Sequence, residues 1–344
     1  MSGDWHERIQ QAWYGEHWSR WPLLPLSGLY RGVVQSRRGL YRTGVLPVRK
    51  APVPVIVIGN LTVGGTGKTP LTVWLAKRLR ERGHTPGVAS RGYGGSGAGT
   101  SMRVDTASDP AVVGDEPVLI ARRTGCPVVV DPDRVRAASM LVEDGADLVI
   151  ADDGLQHYRL ARDYDICVID GTRGLGNGHL LPAGPLREPA QRLVEVDRLL
   201  MNGPPVDGVA MPAGLETNTI RFDLVATEVM RLDGAETRPI EAFAGATVHA
   251  VAAIGNPARF FDLLRRHGID VIEHAFPDHA PITQKMLRFD DGHAVLMTEK
   301  DAVKLRRAVS ERLWYVPVDV EMDPAVSEPW LEQIETRLRE RQES

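Results

Sequence analysis

The residues most able to do chemistry lie together in Gly59-Asn-Leu-Thr-Val-Gly-Gly-Thr-Gly-Lys-Thr69. Gly64, Gly65 and Gly67 let backbone N–H groups converge on phosphate oxygens with no Cβ in the way. Thr62, Val63 and Thr66 complete the cradle, Lys68 can reach the β- and γ-phosphates, and the Thr69 hydroxyl is a natural Mg²⁺ ligand. The strict form of this loop has glycine where the chain has Thr62. A plain glycine-rich connection would leave the Lys-Thr pair unexplained.

A second group of reactive side chains follows at intervals. Asp152 and Asp153 end the apolar run Ala146-Asp-Leu-Val-Ile-Ala151. An acid at a strand's carboxyl end is the usual partner of a phosphate loop, where it holds Mg²⁺ directly or through water. Gln156 and His157 come next and are expected on the same rim. Arg91 and Tyr93, in Ser90-Arg-Gly-Tyr-Gly94, offer an anion donor and a flat apolar face in a loop running to about Ser101. Arg187 sits in a proline-stiffened loop where positive charge would help a nucleotide. Asp115, just before a helix, reads as an N-cap from the residues alone, and Asp131 reads as the cap of the helix after it. His279 occupies a loop, and Thr298-Glu-Lys-Asp301 has the form of a capping box.

The elements that must position these residues alternate. Short apolar runs at 53–58, 87–90, 127–130, 146–151, 165–170 and 196–201 read as buried strands, with helical segments between the earlier ones. This order predicts an α/β fold: a P-loop NTPase-like, mainly parallel sheet domain with helices on both faces and right-handed crossovers. Residues 216–240 alternate like a strand and read as a β-linker. Residues 241–344 read as a smaller α/β domain ending in a charged helix from about Val326 to Glu343. The expected organisation is an N-terminal segment at 1–50, a core at 51–215, the linker, and the smaller domain.

The chain has 344 residues and a formal net charge of -4, which gives no general pull toward nucleic acid. Its two cysteines, Cys126 and Cys167, lie in apolar sequence and are expected reduced and buried, as suits a cytoplasmic protein. Neither a run of about eighteen apolar residues nor a signal-peptide pattern is present. The first fifty residues carry a charge of +5 and the remainder -9. That basic segment also holds Trp5, Trp13, Trp18 and Trp21, four of the seven tryptophans, and the run Trp21-Pro-Leu-Leu-Pro-Leu26. Basic residues interleaved with interfacial aromatics suit a membrane surface. An arm packed on the core would use the same tryptophans differently.

Taken in order, these motifs resemble one family. Gly59 to Pro70, Ser90-Arg-Gly-Tyr-Gly94, Gly114-Asp-Glu-Pro117, Asp152-Asp-Gly-Leu-Gln-His157, Leu181-Pro-Ala-Gly-Pro-Leu-Arg-Glu-Pro189, Phe276-Pro-Asp-His279 and Thr298-Glu-Lys-Asp301 look like the tetraacyldisaccharide 4'-kinases of lipid A biosynthesis. Thr62 belongs to that family's pattern, and Ala280 stands where the family often has a second His or a Tyr. The resemblance implies transfer of the ATP γ-phosphoryl, with Mg²⁺, to the 4'-hydroxyl of a lipid disaccharide monophosphate, giving a 1,4'-bisphosphate. It places the protein peripherally on the cytoplasmic face of the inner membrane, with no obligate protein partner. It also implies Asp115 as the base and His279 as its partner, with Lys68 and Arg187 catalytic, reversing the capping assignment of Asp115.

Two readings compete. A membrane-associated NTPase switch of the partitioning type has a similar loop, but with lysine where Thr62 stands. An ATP-dependent ligase could use the same nucleotide scaffold.

Overall fold

The computed structural model describes residues 11–15, 18–97, 99–205, 218–305 and 310–343. Trp5 and the start of the 216–240 stretch lie outside these. The first helix is α1 (Leu24–Arg42). Then β1 (Val55–Gly59) leads through the glycine-rich loop into α2 (Lys68–Glu81). All five residues of β1 are buried, because parallel strands flank it and helices cover both faces. β2 (Pro86–Ser90) and β3 (Met102–Val104) come next, followed by the short α3 (Pro110–Val113) and by α4 (Asp115–Thr124). β4 (Val128–Val130), α5 (Arg134–Glu143), β5 (Leu148–Asp152), β6 (Tyr164–Asp170) and β7 (Arg198–Asn202) continue the large sheet.

The stretch expected as a β-linker divides between two sheets. β8 (Thr219–Val225) adds to β7 in parallel, while β9 (Glu228–Arg231) pairs with β10 (Thr237–Pro239) and β14 (Leu313–Val316) in the second sheet. Buried Ala226 marks the crossing. The second sheet also contains β11 (Thr247–Ala252), β12 (Asp270–Ala275) and β13 (Ala294–Thr298), with α6 (Pro257–Arg266) and the single turn α7 (Glu299–Ala302). Strand order among the described residues, with β15 (Asp319–Glu321) at one edge, is β15-β8-β7-β6-β1-β5-β2-β4-β3 in the large sheet and β10-β9-β14-β13-β11-β12 in the small one. The core of each is parallel; antiparallel strands close both edges of the large sheet and the β10 edge of the small one, whose other edge strand, β12, is parallel to β11.

The chain's end corrects the boundary drawn at 241–344. β15 (Asp319–Glu321) returns to pair antiparallel with β8, and α8 (Pro324–Gln342) packs on the large sheet. Trp330, Leu331, Ile334 and Leu338 form a buried stripe on that otherwise charged helix. The Trp330 ring stacks on Trp74 with centroids 5.9 Å apart, and its Nε1 donates to the Tyr164 hydroxyl at 3.1 Å.

Two caps also differ from expectation. Gly114 is the N-cap of α4, so Asp115 is the first helical residue, its Oδ1 accepting from the Glu116 N–H at 2.9 Å. Asp133, accepting from the Val135 N–H at 3.1 Å, caps α5, while Asp131 pairs with Arg136. β3 and α3 lie between the loop expected to about Ser101 and α4, a stretch to which the sequence reading assigned no element.

The N-terminal arm is partly docked. Trp13 Nε1 donates to the Pro182 carbonyl at 3.0 Å, and buried Ser27 donates to that of Leu180 at 2.8 Å. Along α1, Leu26, Leu29 and Val33 are more than half exposed and fall on one face. No helix among the described residues is long and apolar enough to cross a membrane. Both cysteines are free and buried.

Trp330→Ala removes the largest side chain joining α8 to the large sheet. It is expected to cost about 3–5 kcal/mol, read by chemical denaturation. A cost under about 1 kcal/mol would mean that α8 contributes little to this core.

Candidate active site

β1 delivers the glycine-rich loop to the carboxyl edge of the large sheet, and α2 starts at Lys68. Gly67 has φ +96°, and a Cβ there would lie 2.4 Å from Asn202 Nδ2, which donates to the Thr66 carbonyl at 3.0 Å. The loop is therefore braced by β7 through a position that only glycine fits. Lys68 Nζ lies 3.1 Å from Asn60 Oδ1 and 3.4 Å from Asp153. The proline-rich loop runs alongside: Thr62 bridges to Leu186, Val63 N–H donates to Pro185 O at 2.8 Å, and Arg187 N–H donates to Leu61 O at 2.6 Å. This register aims Arg187 Nη1 at Asp153, 3.0 Å away. From the second sheet, the Gly255 backbone closes over Gly64 and Gly65, with its carbonyl held by Arg173 at 3.0 Å.

Asp152 ends β5 and is buried, accepting from the Thr72 hydroxyl at 3.2 Å. Burial, with the charges of Glu116 and Asp153, pushes its carboxyl up to about 7 against the pull of Lys68 and Arg134. At Asp153, which has φ +48°, burial is outweighed by Lys68 and Arg187, and the carboxyl stays below the usual range. Two adjacent carboxylates beside the phosphate-binding lysine, one short of compensating charge, fit Mg²⁺. Among the described residues no three His, Cys, Asp or Glu side chains converge as a metal cage. That suits an ion that completes its shell with phosphate oxygens and water.

Asp115 and His279 come from different sheets and meet. Buried Asp115 opens α4, His279 lies beyond β12 with φ +60°, and His279 Nδ1 is 3.1 and 3.2 Å from the two carboxylate oxygens. The Tyr93 ring meets the imidazole edge-on at 5.1 Å. Gly114, with φ +93°, lets Tyr93 approach, since a Cβ there would lie 2.8 Å from the Tyr93 carbonyl. Burial raises the Asp115 pKa, but the His279 hydrogen bond and the charges of Lys300 and Lys304 bring it down to about 2. Lys304 Nζ is 3.5 Å from Asp115, 2.8 Å from Asp301 and 3.1 Å from the Ala280 carbonyl.

The other expected rim residues fare unevenly. Tyr93 and Arg91 are exposed. Gln156 turns inward instead, donating to the Asn60 carbonyl and to buried Glu188, each at 3.2 Å, because that carboxylate requires donors. His157 is held neutral: burial, then the nearby Arg134 and Arg91, push it down to about 3. Thr69 is half-buried in the first turn of α2. Sequence reasoning passed over Glu116, Lys300, Lys304 and Glu188. The four-residue spacing of Lys300 and Lys304, which stacks them on one helical face, was the available signal.

The family model described as tetraacyldisaccharide-1-P 4'-kinase matches residues 19–336. A protein of Pseudomonas aeruginosa named tetraacyldisaccharide 4'-kinase is 50% identical, with 93% of this chain and 94% of its own length covered. One of the same name from Nitrosococcus oceani is 47% identical over 93% and 92%. Among solved structures, LpxK from Aquifex aeolicus, in complex with ATP, aligns with a TM-score of 0.78 at 30% identity. That alignment spans 93% of this chain and 99% of the other.

The raised Asp152 pKa has a consequence for stability. Folded, its carboxyl stays protonated to about pH 7, whereas unfolded it ionises near pH ~3.9. The stability it lends is full below pH ~3.9 and is lost as pH rises through about 7. Asp152→Asn does not titrate, so its stability relative to wild type should climb from about pH 4 to 7 and then level off. Thermal melts across that range check this; a difference independent of pH would refute it.

Proposed function

This chain belongs to the tetraacyldisaccharide-1-P 4'-kinase family, and we propose that it transfers the γ-phosphoryl of ATP to the 4'-hydroxyl of tetraacyldisaccharide 1-phosphate. The product is the 1,4'-bisphosphate. The observation that carries this reading is the Asp115–His279 pair, a buried ionised carboxylate held by an imidazole beside a phosphate-gripping loop. Family membership, with relatives about 50% identical along nearly the whole chain, favours the kinase over the NTPase switch and the ligase.

Phosphoryl transfer needs positioning and charge neutralisation more than covalent chemistry. Lys68 and the amides of residues 62–69 hold the phosphates. Arg187, already extended toward the loop, offsets charge on the transferring group. Thr69, Asp152 and Asp153 would hold Mg²⁺, which neutralises phosphate oxygens when bound. Asp115 accepts the proton of the attacking hydroxyl, and His279 keeps its carboxylate in place. Arg91, Tyr93 and His157 line the side on which the sugar would sit. ATP use accords with the ATP complex of the Aquifex aeolicus relative.

The exposed apolar face of α1, flanked by Arg37, suits a peripheral position on the cytoplasmic face of the inner membrane. That location brings the protein to a substrate whose acyl chains remain in lipid.

Incubation with labelled ATP and the lipid disaccharide, followed by thin-layer separation, tests the reaction. Asp115→Asn should lower kcat by about 10²–10⁴-fold with ATP binding retained. Wild-type hydrolysis of ATP without labelled lipid product would favour the switch instead. Separately, Leu26→Ser, Leu29→Ser and Val33→Ser combined should reduce flotation with anionic vesicles while leaving ATP affinity intact; unchanged flotation would remove α1 from the membrane contact.

A further inference from the structure

Lys300 is a motif residue to which the reaction above assigns no task. Its ammonium is part-buried between the two sheets and contacts Glu116 Oε1 at 2.9 Å, Asp278 Oδ1 at 3.3 Å and His279 Nε2 at 3.3 Å. Burial disfavours the charge, but Glu116, Asp115 and Asp278 outweigh it and hold the group protonated well above the ordinary lysine range. An ammonium has three N–H donors and no acceptor. Each of the three has a partner here.

We propose that Lys300 is a positioning residue that dictates the tautomer of His279, locking the proton on Nδ1 and making the imidazole an orienting donor to Asp115 rather than a proton relay. The argument is one of donors and acceptors. Facing an ammonium, Nε2 must offer its lone pair. A neutral imidazole has a single N–H, so that hydrogen sits on Nδ1, which faces both Asp115 oxygens at 3.1 and 3.2 Å. A proton added to Nε2 would be directed at that positive charge. The relay therefore costs the Lys300 contact, and Asp115 alone receives the substrate proton. Among the surrounding charges, Lys304 faces the far side of Asp115 and pairs with Asp301, Glu116 faces Lys300, and Asp278 Oδ1 lies 3.3 Å from Lys300 and 3.7 Å from His279 Nε2; Asp115 and Asp278 favour a charged imidazole, and Lys300 is the cation that opposes them. Tyr93 adds an aromatic edge. The N-cap at Thr298 sets this geometry, since it starts α7 in the register that turns Lys300 and Lys304 toward α4.

This inference rests on the proposed reaction for its meaning, but its primary readout does not. In protein labelled with ¹⁵N-histidine, with His279 assigned among ten histidines by comparison with His279→Gln, the neutral ring of the wild type should show Nδ1 protonated and Nε2 bare at about pH 8.5. In Lys300→Met, His279 should charge to imidazolium at a higher pH than in the wild type, because Asp115 and Asp278 favour the charged ring and Lys300 opposes them. Its kcat should then fall by about tenfold or more at a pH where the wild type still turns over fully, with KM for ATP within about twofold. Lys300→Arg should restore both the tautomer and the pH profile. Because Lys300→Met leaves Glu116 without its partner, Glu116→Gln/Lys300→Met serves as a charge-balanced variant and should give the same histidine spectrum. Wild-type His279 protonated at Nε2, or a Lys300→Met spectrum and pH profile unchanged from wild type, would overturn the proposal. Failure to form labelled lipid with the wild type would instead remove the reaction and leave the tautomer measurement standing.

Discussion

Buried carboxylates at the carboxyl edge of the large sheet have to be neutralised, and the cations that do so come from elsewhere in the chain. Asp153 is held by Lys68 from the phosphate loop and by Arg187 from the proline-rich loop. Asp115 and Glu116 are held by Lys304, His279 and Lys300 from the second sheet. An unpaired buried charge costs several kcal/mol, which bears most on Asp115 and Asp152, since Asp153 and Glu116 are only half-buried. Asp152 is the exception. Its compensation is incomplete, which is the state a metal–nucleotide complex would relieve.

The route of the backbone explains how the second sheet is held in register for this. The chain leaves the large sheet along β8 and returns along β15, and these two strands are antiparallel neighbours at its edge. The smaller sheet is thus tethered at both ends by one pair of hydrogen-bonded strands, and α8 then seals the return against Trp74 and Tyr164. Two fixed attachments limit where the loop after β12 can reach. The Gly255 contact over the phosphate loop is a third.

The proline-rich loop ties the opposite side together. Its backbone braces the phosphate loop through Thr62, Val63 and Leu61, and its outer side receives the N-terminal arm through Trp13, Ser27 and Tyr30, whose hydroxyl donates to the Arg187 carbonyl at 3.2 Å. One short loop therefore couples the segment with the exposed apolar face to the arginine that reaches Asp153. The exposed apolar face of α1 and the Arg187 guanidinium are thus joined through one loop.

From residue types and spacing alone, the parallel β-α architecture, the phosphate loop and the acids at the end of β5 were legible. Each is local, written in apolar runs, in glycines that must sit at positive φ, and in residues close in sequence. The pairing of Asp115 with His279 entered through resemblance to a family, because 164 residues separate them and no periodicity joins them. The order of motifs carried that information, and geometry confirmed the contact. What only the tertiary structure decided is non-local: the split of one alternating stretch between two sheets, the return of β15 and α8 to the first, and the inward turn of Gln156. The same holds for the role of Lys300. Its i,i+4 relation to Lys304 was visible in sequence, but the meeting of one ammonium with Glu116, Asp278 and His279 depends on three segments folding against one another, since hydrogen-bond complementarity exists only after packing has brought the partners together.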